Sequence, residues 1–167
     1  GVIPANDSRN DIIIRGNSPI GVQWSLDGVE VPNLNHFNTG IAMTGGQVTM
    51  LNTNLLSNSD FYMSAWPASY GNAMAGIFDL KMRKGNSKKH EFWGQMGFNG
   101  FELGSEGYFS KKSNSSYLAS YRYSIPDLME KIGFYTGITP KYQDFTMKLD
   151  FDINKKNNLS VIALYGS

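Results

Sequence analysis

Residues 144–153 alternate without a break. Phe145, Met147, Leu149, Phe151 and Ile153 take one set of positions, and Asp144, Thr146, Lys148, Asp150 and Asp152 take the other. A period of two puts each set on its own face of a β-strand, whereas a helix would scatter both around its axis. The pattern therefore dictates a strand with one apolar and one charged surface. The turn-forming run Asn154-Lys155-Lys156-Asn157-Asn158 leads into residues 159–165, where Leu159, Val161, Ala163 and Tyr165 share a face. Upstream, Tyr117, Ala119, Tyr121 and Tyr123 alternate with Leu118, Ser120, Arg122 and Ser124. Earlier still, Phe92, Met96 and Phe98 share a face with Gly94 and Gly100, and residues 102–110 read as a strand turning through Lys111-Lys112-Ser113-Asn114. The expectation is an antiparallel up-and-down meander of about five strands.

Ahead of the meander the chain is different: short apolar runs separated by Asn, Gly, Thr and Ser. Residues 12–15, a short run opened by three β-branched isoleucines, end at Gly16, Asn17, Ser18 and Pro19. Residues 21–26 form a candidate strand that Asp27-Gly28 turns into Val29–Val31, and Asp-Gly between apolar runs is a strong hairpin signal. Residues 33–46, polar and rich in glycine, read as an exposed loop. Residues 48–56 fit a strand or a short helix, and residues 77–83 a strand stopped by Lys84-Gly85-Asn86. The fold class expected is mainly β, with some α content allowed in the first part. The domain boundary falls between 1–86 and 87–167.

Two settings produce such strands. In soluble sandwiches the apolar face packs on a second sheet. In outer-membrane barrels strands of about ten residues face lipid on one side and water on the other, with aromatic girdles at the interfaces. Composition suits either: of 167 residues only 17% are charged against roughly 25% in soluble domains, while 13% are aromatic. A net charge of +1 gives no basic footprint for nucleic acid. No cysteine is present, which excludes thiolate metal sites and a cysteine nucleophile. No apolar run is long enough for a transmembrane helix, and the start, Gly1-Val2-Ile3-Pro4, does not resemble a signal peptide.

Catalytic chemistry is not apparent. His36 and His90 lack carboxylates at metal-ligand spacing, and His90, following Lys88-Lys89, reads as a solvated residue at a strand start. Asp144, Asp150 and Asp152 share a face with Lys148 and read as the water-facing side of a wall rather than a catalytic pair. Gly40, Gly45 and Gly46 precede no Lys-Ser/Thr, so no phosphate loop forms. No enzyme, metal site or cofactor is expected.

Three phrases, in order, resemble the plug of TonB-dependent outer-membrane receptors. Ile14-Arg15-Gly16 is similar to the strand and turn opening the later half of that plug, and Leu26-Asp27-Gly28-Val29 with Val31-Pro32 resembles its hairpin. Tyr70-Gly71-Asn72-Ala73-Met74-Ala75-Gly76-Ile77-Phe78-Asp79-Leu80 resembles its closing segment, and residues 67–72 look like the Bacteroidetes-type subgroup. The likeness covers residues 11–85. The meander starts where a first barrel strand would. A second Arg-Gly that many members carry is replaced here by Met63-Ser64-Ala65-Trp66-Pro67.

The resemblance implies the later part of a plug followed by the first strands of an incomplete outer-membrane barrel. The parent would import a nutrient, such as a metal chelate, a vitamin or a glycan. It implies as partners the TonB energy-coupling protein, engaged through a segment this chain lacks, the nutrient ligand and an accessory surface lipoprotein. It also implies that Arg15 pairs with barrel carboxylates, and that Asn33, His36 and Phe37 lie in an apical loop facing ligand. Arg15, Gly16, Asp27, Gly28, Tyr70, Gly71 and Gly76 form the structural motif, with the glycines at 28, 71 and 76 at tight turns or close approaches. After residue 85 too little chain remains to close a plugged barrel, which needs about 22 strands. The isolated piece is expected to be soluble, hiding its apolar strands by folding over the plug segment or by pairing with a second copy. The alternative function is a soluble cell-surface β-sandwich that binds carbohydrate or another ligand, with Trp24, Trp66 and Trp93 as stacking platforms for sugars.

Overall fold

The computed structural model describes residues 2–4, 11–32, 34–37, 46, 48–97, 100–111, 113–134 and 141–167. The fold is mainly β, and the chain divides into two compact units, Gly1–Arg83 and Lys84–Ser167.

In the first unit β1 (Val2–Pro4) pairs antiparallel with β2 (Ile12–Ile14). The main sheet holds β3 (Val22–Leu26), β4 (Val29–Val31), β7 (Asp60–Tyr62) and β8 (Gly76–Leu80) in the order β4-β3-β8-β7. Asp27 and Gly28 both take positive φ, +48° and +84°, the turn whose twist matches a tight hairpin. Strands β3 and β8 run parallel, which requires a long crossover, and residues 27–75 supply it. Ile14, Val22 and Ala75 form a buried cluster with Ile12, Trp24 and Phe78 packed against it. Gly76 permits that packing: a Cβ there would sit 2.6 Å from Ile14 Cδ1.

The described part of residues 33–46 is not the exposed loop expected. Asn35–His36 form β5, paired with β6 (Val48–Thr49), and Leu34 and His36 are buried. Met50 N–H and the Thr49 hydroxyl both bond the Leu34 carbonyl, which draws this stretch inward. In residues 48–56 strand and helix both occur: β6 is followed by a 3-10 turn, Thr53–Leu55, whose first turn Asn52 caps through its side chain.

The second unit is an antiparallel meander of β9 (Glu91–Gly97), β10 (Gly100–Tyr108), β11 (Ser116–Tyr123), β12 (Gln143–Asn154) and β13 (Asn157–Gly166), neighbours in space as in sequence. The sheet is open and not closed into a barrel. Gly100 does not share the face of Phe92 and Met96: it pairs with Gly97 at the β9–β10 turn, where the inward and outward sets exchange parity. A helix that the alternation did not announce, α1 (Ile125–Lys131), lies between β11 and β12. Its start is nevertheless written locally. Ser124 Oγ accepts the Asp127 N–H, and Pro126 and Asp127 occupy the first turn.

Candidate functional site

The meander is buried the wrong way round for a soluble sheet. On its apolar face Phe92 is 78% and Met96 76% exposed, and Leu103, Leu159, Val161 and Tyr165 also stand open. On its polar face Glu102, Glu106, Ser116, Ser120, Asp144, Thr146, Lys148 and Asp150 are buried, alongside Leu118. Covering a large apolar side chain contributes roughly 1.5–3 kcal/mol, so a sheet shaped for water would not leave these six outside. In the single chain these six side chains stand exposed.

Cross-strand register sorts the apolar face into rows. Toward the β11–β12 connection lie Phe101 and Tyr123, then Tyr121, Phe145 and Tyr165. The middle row is Ser105, Ala119, Met147 and Ala163, with Phe92 at the sheet edge, followed by Leu149 and Val161. At the opposite end Phe109 stacks on Phe151 at 5.1 Å, beside Tyr117. Two aromatic zones thus bracket small and aliphatic residues. The 12 residues of β12 span roughly 40 Å at about 3.3 Å each. Tilted by about 40°, that projects to about 30 Å, the thickness of a bilayer's hydrocarbon core.

The polar face carries its charges in contact with one another. Arg122 forms an ion pair with Asp144, both largely buried, and its guanidinium lies 5.2 Å from the Tyr142 ring centre. Ser160 Oγ donates to Asp150 at 2.6 Å, and Lys84 reaches Asp152 at 3.6 Å. Asp144 and Asp150 are therefore on the expected face but buried rather than bathed in water. Trp93 covers Gly104, where a Cβ would lie 1.9 Å from the indole, and its Nε1 donates to Glu102 at 3.1 Å. His90 is exposed as expected, yet its ring packs 4.4 Å from Tyr108 and its Nδ1 lies 3.2 Å from the Tyr117 hydroxyl.

The motif residues of the first unit converge largely on β8. Ile14 packs over Gly76 at its start. Near its middle, loss of water and then the neighbouring Asp79 carboxylate hold the Tyr70 hydroxyl protonated above its ordinary range. At its end Asp27 N–H donates to Leu80 O at 2.8 Å, and Asp27 Oδ1 accepts from Met82 N–H at 3.0 Å. Lys81 bridges Asp60 at 3.0 Å and Asp79 at 3.5 Å. Arg15 and Gly16, with φ of +52° and +78°, form the exposed turn after β2, closed by Asn17 N–H to Ile14 O. Gly71 departs from expectation: a Cβ there would meet nothing within 4 Å, and its φ is not positive, so no turn requires a glycine.

Of the three residues expected to face ligand, two are described. His36 is buried on β5, Phe37 is exposed with φ +58°, and Asn33 lies outside the described residues. Two of the three candidate sugar platforms are already engaged: Trp24 stacks on Phe78 at 4.3 Å, Phe78 on Phe61 at 4.4 Å, and Trp93 covers Gly104. Trp66 is half-buried.

A cavity of about 200 Å³ at the β11–β12 connection is lined by Tyr123, Asp127, Lys131, Lys141, Tyr142 and Gln143. The Tyr123 hydroxyl bonds both Asp127 and Lys131, which pair at 3.2 Å, and Lys141 pairs with Glu130. The Tyr123 hydroxyl, then Lys131, hold Asp127 below the usual carboxylate range; the same hydroxyl, then Asp127, raise Lys131. A depressed carboxylate contributes stability above its ordinary range, near pH 4, and loses it as pH falls through the lowered value. A raised lysine contributes below its ordinary range, about pH 10.4, and loses it as pH rises through the higher value. Amide protection of α1 should therefore be flat between about pH 5 and 10 and fall outside that window. In Asp127→Asn the acid-side loss should vanish; an unchanged acid limb by hydrogen exchange would refute the pairing.

Among the described residues no group of His, Asp and Glu is placed to hold a metal ion, and no helix is long and apolar enough to cross a membrane. No protein-family model matches the chain, and no curated protein matches it.

Proposed function

We propose that this chain is part of an outer-membrane TonB-dependent receptor, its first unit the later part of the plug and its second the opening strands of the barrel wall. The inverted burial of the meander carries the reading: an open apolar face banded by aromatics and a buried charged face are what a wall between hydrocarbon and a polar interior needs. The ordered plug-like phrases of the first unit support it further, since their residues brace β8 immediately ahead of the wall. In this reading the parent captures a nutrient outside the cell and passes it inward when the coupling protein rearranges the plug. The piece alone moves nothing. A sandwich that binds sugar is the weaker reading, because its core would be the face that stands open here and two of its platforms are covered.

The test is partition. The chain, mixed with phosphatidylcholine vesicles and floated through a density gradient, should rise with the lipid and should need detergent to remain monodisperse without it. A monodisperse, dye-silent monomer left at the bottom of the gradient would sink the proposal.

A further inference from the structure

We infer that Lys84-Gly85-Asn86 is a clamp that fixes the entry of the second unit to the meander, so that the first unit can open without loosening the meander. Consecutive residues here reach four different strands. Asn86 N–H donates to the Glu106 carboxylate on β10 at 2.7 Å, and the Asn86 side-chain amide donates to Glu91 on β9. Gly85 lies so close to β11 that a Cβ would sit 2.0 Å from the Tyr117 carbonyl oxygen, a contact no other residue permits. Lys84 extends to Asp152 on β12. Asn86 Oδ1 also accepts the N–H groups of Lys88 at 2.9 Å and Lys89 at 3.2 Å, which shapes the turn into β9.

The residues immediately before belong elsewhere. Met82 pairs with Leu56, and Arg83 bonds residues of the first unit through its N–H to Leu55 O at 2.9 Å and its Nε to Asn54 O at 2.8 Å. Allegiance thus changes across the single peptide bond between Arg83 and Lys84. The change falls between the ψ of Arg83 and the φ of Lys84, the soft dihedrals on either side of a planar peptide bond. Bonds to carboxylates are among the stronger hydrogen bonds, and at Asn86 they bind the segment to two strands at once. This inference does not depend on the membrane reading.

Native-state hydrogen exchange of the whole chain in detergent, with urea raised below the unfolding midpoint, tests it. The amides of Asn86, Lys88 and Lys89 should exchange with β10 and β11, while Arg83 exchanges earlier, with β8. In Asn86→Ala exchange at Lys88 and Lys89 should rise at least tenfold, with β10 and β11 unchanged. Asn86→Asp, which keeps the Oδ1 acceptor but loses the donor to Glu91 and faces it with a second carboxylate, should also lose protection at Lys88 and Lys89. Residues 86–89 opening together with Arg83, or exchanging like an open loop in the unaltered chain, would overturn the clamp; so would a single opening shared by both units.

Discussion

Val161→Lys is expected to leave the chain folded in water and to destabilise it by about 2–4 kcal/mol in lipid. Val161 is 43% exposed and stands beside Leu149, one row from the middle of the apolar face. In water a lysine there keeps its ammonium solvated and its stem on the sheet, so little is lost. In hydrocarbon near the midplane the same ammonium must be desolvated or dragged to an interface. The measurement is a pair of urea titrations, one in detergent-free buffer at low protein concentration and one in phosphatidylcholine vesicles. A soluble sandwich reverses the expectation, because Val161 would then sit in a core and the loss would appear in water. Equal losses in both media would remove the lipid-facing assignment.

Arg122→Met should cost the second unit about 3–5 kcal/mol, a large part of the 5–15 kcal/mol that holds a typical domain folded. The cost comes less from the attraction lost than from the carboxylate left behind: Asp144 is 3% exposed, and without the guanidinium its charge faces a crowded wall that also holds Glu102 and Asp150. Replacing both partners, Arg122→Met with Asp144→Leu, should recover the part of the loss that the stranded Asp144 carboxylate causes. The urea midpoint of the meander, followed through its β signal, reads both variants. A single variant within 1 kcal/mol of the unaltered chain would show that water reaches Asp144 and that the pair is a surface one.

Strands β9 to β13 were legible because each side chain's face follows from its neighbours one and two places away. The Asp27-Gly28 hairpin was legible for a similar reason: the backbone there needs positive φ, and Gly at the second position takes it without strain. Helix α1 carried its own signal in Ser124, Pro126 and Asp127, but seven residues offer too little periodicity to stand out between two strong strands. Strands β1 and β7 were missed for lack of length, at three residues each. The parallel pairing of β3 with β8 was not readable, since nothing local joins Trp24 to Phe78. The loop reading failed at Leu34 and His36, because polarity alone does not reveal that these two turn inward. Gly71 shows the converse error: a glycine in a familiar phrase need not be one that the backbone demands.

By itself the sequence determined that the second half consists of two-faced strands laid side by side, because the period-two backbone commits alternate residues to opposite surfaces. Which of those surfaces is covered was beyond it. Alternation is symmetric between inside and outside, and the same residues could line a sandwich core or a lipid boundary. Only the tertiary structure breaks that symmetry, because what is buried depends on which face the sheet and the chain around it enclose, and here they enclose the charges.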